Sequence, residues 1–124
     1  MRVIDSSGWI EYFNGGPLAG SYADLLEMEL IVTPTVVLYE VYKIIRREHS
    51  EEAGLLAVAK LKATRLVELD ESLALSAAEI SLERGLAMTD AIVYATACRE
   101  AAELVTSDAD LANLPNVMYL PKPN

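Results

Sequence analysis

The sequence predicts an α/β fold in which a short parallel sheet is sandwiched between helices. Three observations carry that reading. Apolar runs of only a few residues alternate along the chain with longer segments of helical periodicity, the pattern of parallel strands joined by helical crossovers. No repeat, low-complexity stretch or linker interrupts the alternation. The chain has 124 residues and 52% hydrophobic content, enough for one core, so a single domain over residues 1–124 is expected.

Element by element, Val3–Asp5 reads as a first strand and Ser7–Phe13 as a short helix, stopped by the turn formers Asn14–Pro17. Leu18–Met28 has helical spacing, and Leu30–Thr33 is a second apolar run. Pro34 is placed to open the next helix, because its missing N–H costs nothing in a first turn. That helix extends to about Glu48, and Glu51–Ala63 forms another. Leu66–Leu69 is a third strand. Helices follow near Glu71–Arg84 and Thr89–Ala102, with Gly85 as the stop between them. Leu104–Thr106 is a fourth strand, Ala109–Leu114 a turn of helix and Val117–Leu120 a fifth strand. In sheets of this kind ligands bind beyond the carboxyl ends of the strands.

Composition narrows the class. No apolar run approaches the roughly 20 residues of a membrane span. The start, Met1-Arg2-Val3-Ile4-Asp5, leads into no stretch of signal-peptide length, and the single Cys98 allows no internal disulfide. A cytoplasmic protein with no membrane association is the expectation. Nineteen acids against ten bases give a net charge of −9, which disfavours a partner held by a broad basic surface. It leaves room for a nucleic-acid enzyme whose phosphate contacts run through metal ions.

Most acids fall where solvated acids belong: Glu51, Glu52, Glu79, Glu83, Glu100 and Glu103 read as surface. Four do not. Asp5 ends the first strand where the chain turns into a helix, a place that also suits an N-cap. Glu40 has Val36, Val37 and Ile44 as its helical neighbours, so it sits on or beside an apolar stripe. An ion pair with Lys43 or Arg46 is the plain structural alternative. Asp90 opens a helix of small apolar residues that implies burial on nearly every side, although Thr89 could cap that helix equally well. Asp108 leaves the fourth strand, where it or Ser107 could cap the helical turn after it. Brought to one edge of the sheet, four carboxylates would resist common ionisation and call for a cation. With no His or Cys set for zinc, Mg²⁺ or Mn²⁺ fits best. Such an ion activates water and neutralises phosphodiester charge, so metal-assisted phosphoryl hydrolysis is the chemistry expected.

Four stretches, "VIDSSGWIEYF", "TPTVVLYEV", "TDAIVYATA" and "LVTSDADL", resemble the PIN-domain family in order and spacing, and most of all the VapC-like toxins of toxin–antitoxin pairs. The resemblance spans residues 1–120. It implies a three-layer α/β/α sandwich with a five-stranded parallel sheet, and a Mg²⁺- or Mn²⁺-dependent ribonuclease. It makes Asp5, Glu40, Asp90 and Asp108 the catalytic and metal-binding acids, with Asp5, Asp90 and Asp108 as ligands and Glu40 as ligand or base. Ser7 and Thr106 match hydroxyl positions that orient the centre or the substrate, local capping being the other reading. Asp110 matches a further acid of the same loop, able to reach a metal through water. The family often has a basic residue where Ser107 stands and an aromatic one where Leu111 stands, so this chain departs there. The resemblance also implies a homodimer and a small antitoxin that blocks the site.

Two other functions remain open at this level: a PIN-like module that binds RNA or a partner without cutting, and an aspartate-dependent phosphatase of the haloacid-dehalogenase type. The latter is resembled only by the Asp108-Ala109-Asp110 pair, which here comes near the end of the chain. His49 and Cys98 are not expected to react; Cys98, among alanines, is expected in the core. Trp9, Tyr12 and Phe13 are expected to pack. Tyr39 and Tyr42 fit either core or dimer contacts, and Arg46 and Arg47 either RNA phosphates or a solvated helix face.

Overall fold

A computed structural model describes residues 1–123. Its element order is β1 (Arg2–Ile4), α1 (Ser6–Phe13), α2 (Ala19–Met28), β2 (Ile31–Pro34), α3 (Thr35–Glu48), α4 (Glu51–Lys62), β3 (Arg65–Val67), α5 (Glu71–Arg84), α6 (Met88–Arg99), β4 (Glu103–Thr106), a 3₁₀ turn (Ala109–Leu111) and β5 (Val117–Tyr119). The five strands form one parallel sheet in the order β3-β2-β1-β4-β5. This is the α/β/α sandwich expected from the sequence. Val3, Ile4, Val32, Leu104 and Val105 are buried in its central strands, which is why those strands read as unbroken apolar runs rather than alternating ones.

The strand order reverses between β1 and β4. From β1 the chain winds outward through β2 and β3, then returns to the far side of β1 for β4 and β5. The loops leaving β1 and β4 therefore diverge and open a crevice at the carboxyl edge, the position where open parallel sheets bind ligands. The ladder between the two strands runs past the last strand residue of β1, since the Asp5 N–H donates to the Val105 carbonyl at 3.2 Å. Asp5 is thereby fixed against β4 before its side chain makes any contact.

Helix ends follow local chemistry. Asp5, Ser50 and Asp70 each cap a helix by accepting a backbone N–H three residues on. Gly85 ends α5 with a positive φ of 68°, as a left-handed C-cap requires. Two boundaries differ from expectation. Pro34 belongs to β2 and precedes the first turn of α3 instead of lying within it; its ψ of 140° keeps the backbone extended and in register with Val67. Helix α6 stops at Arg99, short of Ala102. Ala101 takes a left-handed φ of 54°, and the Ala102 N–H donates back to the Ala97 carbonyl at 2.9 Å, closing the helix as a Schellman motif without glycine.

The structure corrects the expectation for Cys98. Ala91 through Ala97 are buried, but Cys98 is exposed, lying on the final turn where the helix leaves the sheet. Glu100 is corrected in the opposite sense. Its side chain keeps only 13% exposure and is held by Arg65 at 2.6 Å and Arg99 at 3.5 Å. Trp9 is buried, with Tyr12 and Phe13 packed on it, whereas Tyr39 is largely exposed. No helix among the described residues is long and apolar enough to cross a membrane.

Candidate metal centre

The acids singled out in the sequence are brought to the crevice by separate elements: Asp5 at the end of β1, Glu40 in α3, Asp90 in the first turn of α6 and Asp108 after β4. Asp90, Asp108 and Asp110 each offer a carboxylate oxygen within 4.8 Å of the others. Asp5 and Glu40 lie outside that triplet but close enough that their charges act on Asp90. Asp110, which the sequence offered only as an accessory acid, is thus one of the three closest groups.

Asp5 is buried, with 4% exposure, and both of its oxygens are engaged. Oδ1 accepts from Ser7 Oγ at 2.7 Å and from the Gly8 N–H at 3.2 Å, while Oδ2 accepts from Thr106 Oγ1 at 2.6 Å. The two hydroxyls accept in their turn. Ser7 Oγ takes the Ser107 N–H at 3.1 Å, and Thr106 Oγ1 takes the Asp108 N–H at 2.9 Å. Two backbone amides of the β4 loop are therefore tied through two hydroxyls to one carboxylate about a hundred residues earlier in the chain. The N-cap reading of Asp5 is correct, yet it accounts for only one of three hydrogen bonds. Burial pushes the Asp5 carboxyl above its ordinary value; the Thr106, Ser7 and Gly8 donors oppose that rise and the Asp108 charge adds to it.

The other acids are open. Asp90 is half-buried, and its carboxylate makes no hydrogen bond and no ion pair among the described residues. Nor does Thr89 cap α6, whose N-cap position is occupied by Ala87 without a side-chain bond. Burial, then the charges of Asp108, Asp5, Glu40 and Asp110, push the Asp90 carboxyl from 3.8 to about 6. Asp108 does cap the following turn, accepting the Asp110 N–H at 2.9 Å, but one bond leaves most of its lone pairs free. Glu40 forms no ion pair with Lys43 or Arg46 and borders a shallow 160 Å³ cavity lined by Tyr39, Lys43, Ile44 and Arg47.

Two buried groups of this region escaped the sequence reading. Glu11 in α1 has 7% exposure and accepts the Leu18 N–H at 3.3 Å, holding the Asn14–Pro17 turn against the helix. Its signal was present: Ser7 and Gly8 lie one helical turn before it, on the face turned toward the crevice. Tyr22 of α2 is fully buried and bonds to Ser107, a pairing across 85 positions that no local pattern reveals.

A centre of carboxylates alone, three of them converging and partly exposed, has the donor chemistry of a hard divalent cation and not of zinc. Fold and site together define a parallel α/β protein with an acidic centre at its topological switch point. The PIN-domain family model matches residues 2–117, and the chain belongs to that family. Solved structures agree on the fold. A toxin–antitoxin complex from Klebsiella pneumoniae superposes with a TM-score of 0.82 at 21% identity, covering 99% of this chain and 100% of that one. VapC20 of Mycobacterium tuberculosis, a toxin that cleaves the sarcin–ricin loop, gives 0.80 at 21% identity over 98% and 100%. VapBC2 of Rickettsia felis, solved on a DNA fragment from its promoter, gives 0.73 at 16% identity over 97% of each. A sequence comparison with curated proteins finds no match.

Proposed function

We propose that the chain is a divalent-metal-dependent endoribonuclease, the toxin of a toxin–antitoxin pair. The observation that carries this reading is the convergence of Asp90, Asp108 and Asp110 beside the buried Asp5 within a PIN fold. In this reading Asp90 and Asp108 hold Mg²⁺ or Mn²⁺, with Asp5 as the buried anchor of the centre and Asp110 joining directly or through water. The ion, when bound, supplies charge neutralisation at the phosphodiester and a more acidic water.

The chain's own groups supply the rest. Ser7 and Thr106 keep the Asp5 carboxylate in one orientation, so the site spends no entropy arranging it. Glu40, without an ion pair, is a further ligand or the base that takes a proton from the attacking water at its carboxylate oxygen. Lys43 and Arg47, on the same side of α3 as Glu40, supply cations for RNA phosphates in an otherwise acidic protein. By likeness to the toxin–antitoxin structures, one partner is an antitoxin; the family resemblance adds a second copy of the chain and action in the cytoplasm.

The test is RNA cleavage with Mg²⁺ or Mn²⁺ by the wild type and by the Asp5→Asn and Asp90→Asn variants. Metal-dependent cleavage lost in both variants supports the reading. Equal activity in all three proteins would sink it.

A further inference from the structure

Tyr22 has no part in the proposed reaction, and its environment is more specific than packing requires. Its side chain is completely buried, with the ring against the first turn of α1. A Cβ at Gly8 would lie 2.5 Å from Tyr22 Cε1 and 2.8 Å from Cζ, so the glycine is what admits the ring there. Gly8 is also a donor to Asp5. The ring is thus wedged beside the anchor of the acidic centre, while its hydroxyl reaches beyond it to Ser107 Oγ at 2.6 Å.

Ser107 is the residue just before Asp108. Its hydroxyl is held by Tyr22, its amide donates to Ser7, and the next amide donates to Thr106. Without the phenol, the side-chain half of that grip is gone and the loop hangs from backbone donors alone. We propose that Tyr22 is a positioning residue: through Ser107 it fixes the loop that presents Asp108 and Asp110 to a divalent cation. The inference rests on reading the acidic centre as a metal site.

The protonation state suits the role. Burial, aided by the Asp5 and Glu11 charges and opposed by the Ser107 bond, pushes the phenol up to about 12, so it keeps its proton throughout the neutral range. The serine matters equally. Its short hydroxyl is what meets the buried phenol.

Mn²⁺ titration of the metal-free protein by calorimetry tests the proposal in four forms: wild type, Tyr22→Phe, Ser107→Ala and the double variant. Tyr22→Phe keeps the ring against Gly8 and removes only the hydroxyl. Its melting temperature is expected to stay close to wild type while Mn²⁺ affinity falls about tenfold, the lower end of what a residue orienting a metal ligand costs. Ser107→Ala should show the same fall, and the double variant no further fall, since both delete one bond. Wild-type affinity in Tyr22→Phe, or two losses that multiply, overturns the proposal. Should Tyr22→Phe fail to fold, Ser107→Ala breaks the same bond from the exposed side, and unchanged affinity there overturns it as well. If the wild type binds no Mn²⁺ at millimolar concentration, the metal reading and this inference fall together. If it binds Mn²⁺ but leaves RNA uncut, only the ribonuclease reading falls.

Discussion

Asp5 and Asp90 stand at the same edge of the sheet, and their surroundings are opposite. Asp5 is buried and accepts three hydrogen bonds, two of them from hydroxyls that in turn accept backbone amides. Asp90 is half-open, accepts none, and faces four other carboxylates. One carboxylate has its hydrogen bonds supplied by the protein; the other has none. A fold optimised only for stability would have paired or removed Asp90, because a like-charged cluster at this distance opposes folding. The difference teaches that the centre has a built half, which sets geometry, and an open half, whose compensation must come from outside the chain. Substitutions in the two halves should therefore have different signatures.

The largest effect is expected in the open half. Asp108→Asn should lower metal-dependent RNA cleavage by more than about 100-fold, beyond the range for residues that merely orient a metal ligand. The amide still accepts the Asp110 N–H, so the cap survives and the metal-free protein should melt no lower than wild type. A large drop in melting temperature would mean that Asp108 belongs to the built half and would break the distinction. Next in size is the built half. Thr106→Val leaves the volume nearly unchanged but strips a donor from Asp5 Oδ2 and an acceptor from the Asp108 N–H, both poorly hydrated. The expected cost is about 1–3 kcal/mol in urea unfolding, with or without metal. A cost near zero would show that the hydroxyl bridge is ornamental.

The pH dependence of metal-free stability separates the halves more finely. With the Asp90 carboxyl at about 6 in the folded chain against an ordinary 3.8, the folded state binds more protons than the unfolded one between those values. Stability from this group is fully present below about 3.8 and is lost as pH rises through about 6. Melting of the metal-free protein should accordingly decline over that window, Asp90→Asn should flatten the decline, and Mn²⁺ should offset it at neutral pH. Asp5 is shifted in the same direction, so some slope should survive in the Asp90 variant. A melting temperature that rises through the window would contradict the charge crowding itself.

How far the sequence foretold all this depends on the kind of signal. Strands and helices were legible because buried parallel strands leave unbroken apolar runs, and a stop such as Gly85 acts within four residues. The convergence of Asp5 with Asp108 was legible only as a condition, that β1 and β4 be neighbours, and they are. What stayed hidden is what depends on three-dimensional closure. Asp110 differs from Asp108 by two positions, and only the turn geometry decides that its oxygen joins the triplet. Glu11 reads locally as one more helix acid until the Asn14–Pro17 turn folds back over it. Ala101 carries no left-handed signature, so the pattern extends the helix past it, and the alanines around Cys98 read as core although Cys98 itself is exposed.

The smallest expected effect concerns the side chain most often invoked for proton transfer near neutrality, a histidine. His49 is the only histidine of the sequence. A step near pH 6 in the cleavage rate could therefore be read as histidine catalysis. The structure argues against that assignment. His49 follows the end of α3, nine positions after Glu40, or roughly 13 Å along the helix axis. It is exposed, and its Nε2 is hydrogen-bonded to Asn14 Oδ1 at 2.9 Å. His49→Ala should change cleavage by no more than about twofold, the scale of an ordinary surface substitution, and should leave a step near pH 6 in place. The decline in metal-free melting near pH 6 should instead move with Asp108→Asn, because removing a neighbouring charge lets Asp90 ionise more easily and shifts it to lower pH. Loss of the step in His49→Ala would place a proton-transfer group outside the carboxylate centre, and the contrast between a built half and an open half would no longer describe the whole site.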